Sequence, residues 1–64
     1  MLAVKLKEKR KEKGMTQQEG ATRSGIAQQT YNSYENGYRV PSIESIKNIA
    51  KTLNCSIDDL LADD

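Results

Sequence analysis

Residues that end helices recur at short intervals along this chain, and their spacing limits what it can fold into. Gly14, Gly25 and Gly37 each follow a stretch of helical character, and Asn54 follows a fourth. Glycine and asparagine favour the left-handed backbone conformation in which many helices stop. The apolar alternation typical of a half-buried strand is nearly absent. The sequence therefore predicts an all-α fold built from five short helices.

The predicted helices also have recognisable starts. Thr16 and Glu19 have the spacing of a capping box, in which the hydroxyl and the carboxylate bond to each other's backbone N–H groups. Ser42 is the expected N-cap of a fourth helix, and Ser56 with Asp59 forms a second cap-like pair. The expected segments are 2–13, 16–24, 28–36, 42–53 and 56–61.

Apolar residues at helical spacing predict which faces are buried. On the first helix, Leu2, Leu6 and the stem of Arg10 fall one turn apart. The single cysteine, Cys55, cannot form an internal disulfide and is expected to be a small buried apolar residue in a reducing cytoplasm. On the fourth helix the expected core positions are Ile43, Ile46, Ile49, Ala50 and Leu53.

Length and composition exclude several classes of protein. The 64 residues allow one domain, expected to span 1–64 with residues 62–64 frayed. The absence of His excludes a zinc site built on Cys and His and His-based acid–base chemistry, and no metal or other cofactor is expected. The first ten residues, MLAVKLKEKR, lack an uninterrupted apolar run, so neither a signal peptide nor a membrane span is expected there.

Charge is distributed unevenly along the chain. Residues 1–13 carry six basic and two acidic side chains, whereas residues 54–64 carry four Asp and no basic side chain. This gradient favours a polyanionic partner on one side of the protein. Charges on the solvated outer face of a helix give the same pattern, so charge alone leaves both interpretations open.

An ordered set of short motifs covers nearly the whole chain. In residues 16–37 the set comprises Thr16, Gln17, Glu19, Ala21, Gly25, Ile26, Gln28, Gln29, Thr30 and the run Tyr34–Gly37. It continues through Arg39, Pro41–Glu44, Ile49–Ala50 and Leu53–Leu61. Together these motifs resemble the helix-turn-helix domain of phage-repressor and Cro-type proteins, the XRE family. The resemblance implies a compact five-helix lambda-repressor-like domain whose second and third helices form the DNA-reading unit.

The resemblance also implies a role for individual residues. The third helix would lie in the major groove and present polar side chains to base edges, where a Gln amide can pair with adenine. Helical spacing puts Tyr31, Tyr34 and Ala27 on its other side. The expected base-reading residues are Gln28, Gln29, Asn32 and Ser33. The expected phosphate contacts are Gln17, Thr30, Asn36, Tyr38, Arg39 and Arg10, with Arg23 as a weaker candidate.

Arg10 and Glu35 match family positions that form an internal ion pair, which would hold the first helix against the end of the third. Gly20 departs from the family, which usually has Leu at this position. Tyr31 stands where the family prefers Ile or Val, so we expect its ring to fill the space above Gly20. Ser24 stands at another position that is usually apolar.

The function implied is sequence-specific binding of double-stranded DNA by a cytoplasmic transcriptional regulator, a repressor. A weak or DNA-assisted homodimer on a pseudo-palindromic operator is expected. The alternative is a protein-interaction module, such as an antitoxin subunit that docks a partner through Leu60 and Leu61 of its C-terminal helix. An enzyme is disfavoured, because adjacent helical carboxylates at Asp58 and Asp59 point in different directions and a cap role explains Asp59.

Overall fold

The computed structural model describes residues 2–62 and confirms the all-α prediction. Within that range the chain forms five helices and no strand. The helices are α1 (Leu2–Glu12), α2 (Gln17–Arg23), α3 (Gln28–Glu35), α4 (Ile43–Thr52) and α5 (Ile57–Leu61). Of the residues expected to fray, 63 and 64 lie outside the described part of the chain. No helix in 2–62 has the length and apolar character needed to cross a membrane.

The helix starts follow the predicted capping chemistry. Both capping boxes form: the Thr16 N–H donates to Glu19 Oε1 at 2.9 Å, and the Ser56 N–H donates to Asp59 Oδ2 at 3.1 Å. The Ser42 hydroxyl accepts from the backbone N–H of Ser45 at 3.2 Å. These bonds satisfy N–H groups that a helix leaves without partners in its first turn, so each start is fixed locally.

The turns after α2 and α4 each depend on a left-handed residue. Gly25 has φ +70° in the turn that joins α2 to α3, a conformation that costs glycine little. Asn54 has φ +53° after α4 and is the one non-glycine residue in 2–62 with a positive φ. Asparagine tolerates this conformation better than most residues, which explains why α4 ends where the sequence predicts.

One apolar core joins the helices, because α1 packs against α3 and α5, and α2 packs against α3 and α4. Ile43 was expected in this core, but it is 71% exposed. It lies at the edge of the apolar stripe in the first turn of α4, where side chains lean back toward the helix N-terminus. Cys55 is only half-buried at the margin of the core. The core itself consists of Leu6, Ala21, Tyr31, Tyr34, Ile46, Ile49, Ala50, Leu53 and Leu60.

The fold brings the basic helix α1 beside the acidic residues Asp58 and Asp59 of α5. The helix α5 packs against α1. Hydrogen bonds from Ser56 lower the pKa of Asp59, and the positive charges of Lys9 and Lys5 lower that pKa further. The charge gradient along the sequence is therefore partly neutralised in space and does not by itself define a DNA-binding face.

Gly20 and Tyr31 pack together as the sequence predicts. A Cβ atom added at Gly20 would lie 3.2 Å from the Tyr31 hydroxyl oxygen and 3.3 Å from the ring carbon Cζ. It would also lie 3.2 Å from Cδ of Arg10, so the glycine accommodates the arginine stem as well as the ring. Tyr31 is fully buried, which makes its ring a principal contact between α3 and α2.

Candidate nucleic-acid interface

The helix α3 has one polar exposed face and one buried face. Tyr31, Tyr34 and Glu35 lie on the buried side. Ala27, expected on that side, is exposed at the N-cap position and makes no side-chain hydrogen bond there. The residues Gln28, Gln29, Asn32 and Asn36 are exposed, and Thr30 and Ser33 are half-buried. Four of these exposed or half-buried side chains carry amides, which can both donate to and accept from base edges.

Ser33 is partly engaged within the helix. Its hydroxyl donates to the carbonyl oxygen of Gln29 at 3.2 Å, which leaves the hydroxyl oxygen as an acceptor. The Ser33 carbonyl oxygen accepts from the backbone N–H groups of Tyr38 at 2.9 Å and Arg39 at 3.3 Å. Those two N–H groups are therefore used to close the turn after α3. Tyr38 and Arg39 remain able to reach a ligand through their exposed side chains.

The ion pair between Arg10 and Glu35 is present and has two bonds. The Arg10 Nε donates to Glu35 Oε2 at 2.7 Å, and Nη2 donates to Oε1 at 3.1 Å. A third bond runs from Arg10 Nη1 to the carbonyl oxygen of Met15 at 2.8 Å. Both charged residues are buried, and the hydrogen bond to Glu35 raises the pKa of Arg10. One guanidinium thus joins α1, the loop before α2, and α3.

A chain of side-chain hydrogen bonds runs from this pair to the surface. The Gln17 Nε2 donates to Glu35 Oε1 at 3.4 Å and to Asn32 Oδ1 at 3.1 Å. The Asn36 Nδ2 donates to the same Asn32 Oδ1 at 3.0 Å. Two expected phosphate contacts, Gln17 and Asn36, therefore hold an expected base reader, Asn32, from both sides.

Two buried hydroxyls have no hydrogen-bond partner within the described chain, those of Ser24 and Tyr31. Burial raises the pKa of Tyr31 to about 12, and the charge of Glu35 raises it in the same direction. Ser24 lies at the C-cap of α2. Burial of a hydroxyl without a partner costs stability, because the hydrogen bonds that it makes to water in the unfolded chain are not replaced.

The sequence resemblance did not indicate that Asn32 is tied to Gln17. These residues come from different helices, and no local pattern connects them. The sequence contains a partial signal for this contact. A buried Glu35 carboxylate can accept more hydrogen bonds than Arg10 donates to it, and Gln17, the first residue of α2, carries a donor.

This chain is similar to known helix-turn-helix proteins in sequence. The helix-turn-helix family profile matches residues 6–60. An uncharacterised HTH-type transcriptional regulator of Bacillus subtilis, YqaE, is 41% identical over 61 residues, covering 95% of this chain and 53% of that protein. The transcriptional repressor RstR of the cryptic phage CTXphi, from Vibrio cholerae, is 32% identical and covers 98% of this chain and 57% of that protein. The chain spans about half the length of the curated relatives it matches.

A solved structure has nearly the same backbone. It is the crystal structure of SinR, described as the master regulator for biofilm formation, in complex with DNA. SinR is 32% identical to this chain, with a TM-score of 0.92 over 97% of this chain and 100% of the other.

Proposed function

This chain belongs to the helix-turn-helix family, and we propose that it binds double-stranded DNA in a sequence-specific manner and regulates transcription as a repressor. The observation that supports the proposal most is the agreement in backbone with SinR, a protein solved in complex with DNA. The names of the sequence relatives, which include transcriptional regulators and a repressor, point the same way.

The proposed reading element is the exposed face of α3. Gln28 and Gln29 stand at the N-terminal end of α3, where a recognition helix meets base edges in the major groove. A Gln amide pairs bidentately with the N6 and N7 atoms of adenine. Asn32 and Ser33 follow one turn later on the same face and complete the proposed base-reading set.

Phosphate contacts are proposed for residues around that face. Arg39 is the best placed cation, because it is exposed in the turn directly after α3. Exposed Tyr38 lies beside it, and Thr30 and Asn36 belong to α3 and its C-cap. Such contacts fix the register of the protein on the duplex and supply salt-dependent affinity without reading sequence. Gln17 is proposed to contact phosphate through its backbone N–H at the first position of α2, because its amide nitrogen already donates to Glu35 and Asn32. Arg10 is proposed to act through the side chains that it holds.

The proposal includes a homodimer, weak or assembled on DNA, that binds a pseudo-palindromic operator with half-sites about one helical turn apart. We also propose that the protein binds DNA without catalysing a reaction and that it is located in the cytoplasm. The interaction-module alternative is not favoured by these relatives. Leu60, one of its two docking residues, is fully buried, whereas Leu61 is 53% exposed.

The test is binding to duplex DNA selected from a random library, measured across a series of salt concentrations. Gln28→Ala and Gln29→Ala should each weaken binding to the selected site by about 1–3 kcal/mol and relax the preference at one or two base pairs. Arg39→Ala should weaken binding to all sequences alike and make the salt dependence shallower, since it removes one phosphate contact.

Gln18→Ala is the matched control, because Gln18 is exposed on α2 outside the proposed contacts. It should bind as the unchanged protein does. If Gln28→Ala and Gln29→Ala both select the same site with unchanged affinity, the assignment of the reading face is wrong. If no duplex binds in a salt-dependent manner, the proposed function itself fails.

A further inference from the structure

The direction of every hydrogen bond near Asn32 is set by the buried ion pair. The guanidinium of Arg10 can only donate, and the ionised carboxylate of Glu35 can only accept. Gln17 lies 3.4 Å from Glu35 Oε1 and must turn its amide nitrogen toward it, because two acceptor oxygens at that distance repel each other. The orientation of the Gln17 amide is thus determined by the Glu35 carboxylate, which can only accept hydrogen bonds.

This orientation passes from Gln17 to Asn32. The same Gln17 nitrogen donates to Asn32 at 3.1 Å, so Asn32 must present its oxygen there. Asn36 donates to that oxygen from the other side at 3.0 Å. The Asn32 oxygen therefore holds two hydrogen bonds, which fill its acceptor capacity. Its amide nitrogen makes no hydrogen bond to any residue in 2–62, and the residue is exposed.

An asparagine held in this way presents only N–H donors to a ligand. A free Asn amide pairs bidentately with adenine, because it offers a donor to N7 and an acceptor to the N6 amino group. Asn32 lacks the available acceptor. Guanine presents two acceptors in the major groove, N7 and O6, whereas cytosine presents only a donor. Guanine is therefore the base edge that fits the fixed amide best.

We propose that Asn32 is a donor-only base reader that selects guanine over adenine, and that Gln17 is the residue that positions it. The inference rests on the proposed DNA-binding function. It assigns to Gln17 a role in specificity, in addition to any contact with phosphate, and it separates Asn32 from Gln28 and Gln29, for which adenine is the expected base.

The test is a selection from random duplex DNA with the unchanged chain and four variants. Asn32→Ala identifies the base pair that Asn32 reads, because the preference at that position is lost. In the unchanged protein this position should show guanine over adenine by at least about fivefold, the lower end of what a good bidentate contact gives. Gln17→Met keeps the length of the side chain but removes the donor, so the guanine-to-adenine ratio should fall toward about one at that position only.

Gln18→Met is the matched control, since it makes the same substitution one residue away on an exposed side chain outside the hydrogen-bond chain. It should leave the ratio unchanged. A loss of affinity in Gln17→Met that is equal for all sequences leaves the ratio unchanged, and it would overturn the positioning role. The change in base preference at one position reports the positioning role, because a purely structural role would not move it.

Asn32→Asp provides a second and independent test, and it decides the matter if Gln17→Met fails to fold. A carboxylate oxygen accepts from Gln17 and Asn36 as the amide oxygen does, but the group exposed to the base becomes an acceptor. The preference at the same position should move from guanine to cytosine, whose N4 amino group donates.

Three results would overturn the inference while leaving DNA binding intact. They are adenine selected at the Asn32 position, an unchanged ratio in Gln17→Met, and an unchanged site in Asn32→Ala. Absence of any salt-dependent duplex binding by the unchanged chain would instead overturn the proposed function, and the inference with it.

Discussion

At the scale of single residues, the substitutions at Gly20 and Tyr31 form one packing unit. The hydroxyl oxygen and Cζ of Tyr31 approach within 3.3 Å of the point where a Gly20 Cβ would stand. Contacts this short leave no room for a larger side chain unless the ring moves. The small residue and the large residue therefore form one coupled pair, as predicted from the sequence.

A double-mutant cycle tests this coupling. Tyr31→Ile should destabilise by roughly 2–5 kcal/mol because it opens a void, and Gly20→Leu should clash with the ring and the Arg10 stem. The double variant should be more stable than either single variant, with a favourable coupling of about 1 kcal/mol or more. Urea denaturation measures all four proteins. Strict additivity, within about 0.5 kcal/mol, would mean that the positions do not touch.

The buried hydroxyl of Tyr31 lowers the stability of the fold by a separate effect. It is buried near the Glu35 carboxylate, but it has no partner at hydrogen-bonding geometry within 2–62, so Tyr31→Phe should stabilise the protein at neutral pH by roughly 1 kcal/mol. The effect should grow at high pH. Folding raises the pKa of Tyr31 to about 12, so the folded protein keeps this proton across a window in which the unfolded chain, with a pKa near 10, has lost it.

Stability of the unchanged protein should therefore fall as pH rises from about 10 to 12. Tyr31→Phe lacks this proton, so its advantage should widen across that window by at most about 3 kcal/mol. Tyr38→Phe, at a position that is 81% exposed, is the control. If the difference in unfolding free energy between Tyr31→Phe and the unchanged protein stays constant from pH 9 to 12, folding does not raise the pKa of Tyr31.

At the scale of helices, capping decides how firmly each element begins. The helices α2, α4 and α5 have N-cap side chains that bond to backbone N–H groups, whereas Ala27 leaves α3 without one. The helix α3 thus begins without the local bond that fixes its neighbours, and packing of Tyr31 and Tyr34 must hold it in place.

Ala27→Ser supplies the missing oxygen to the N–H of Thr30 and should raise the free energy of unfolding by about 0.5–2 kcal/mol. Ser42→Ala is the matched converse, because it removes an existing cap from α4 and should lower stability by a similar amount. Thermal denaturation of both variants measures the effect. A destabilised Ala27→Ser variant would show that the extended residue before α3 does not accept a capping side chain.

At the scale of the whole molecule, one arginine fixes how α1, α2 and α3 are arranged. Arg10 bonds to Glu35 on α3 and to Met15 before α2, and its stem packs on Gly20. Global stability and the geometry of the proposed interface therefore depend on the same side chain. A domain of 64 residues has little stability in reserve, so losses here affect the whole fold.

Arg10→Met should destabilise by roughly 3–5 kcal/mol, because it leaves the buried Glu35 carboxylate without its partner. Lys9→Met is the control, since the contact of Lys9 with the exposed Glu12 is long, at 3.9 Å, and its attraction to Asp59 is to an exposed carboxylate, so stability should change by less than about 1 kcal/mol. Equal denaturation midpoints with equal slopes would show that Arg10 behaves as a surface charge.

The sequence by itself determined the elements of this fold and their limits. Capping pairs such as Thr16 with Glu19, and left-handed stops such as Gly25 and Asn54, act within a few residues, so local chemistry fixes them before any packing. Apolar spacing placed most of the core for the same reason. Apolar spacing misjudged Ile43, which is exposed because it lies in the first turn of α4 at the edge of the apolar stripe.

Only the tertiary structure decided how charges and amides combine. The basic α1 and the acidic residues Asp58 and Asp59 lie far apart in sequence, but they come together because α5 packs on α1. The orientation of the Asn32 amide depends on Gln17 and on the buried pair beneath it, which are contributed by three different helices. The direction of each of these hydrogen bonds depends on which side chains are neighbours in space, and the order of residues along the chain does not determine that.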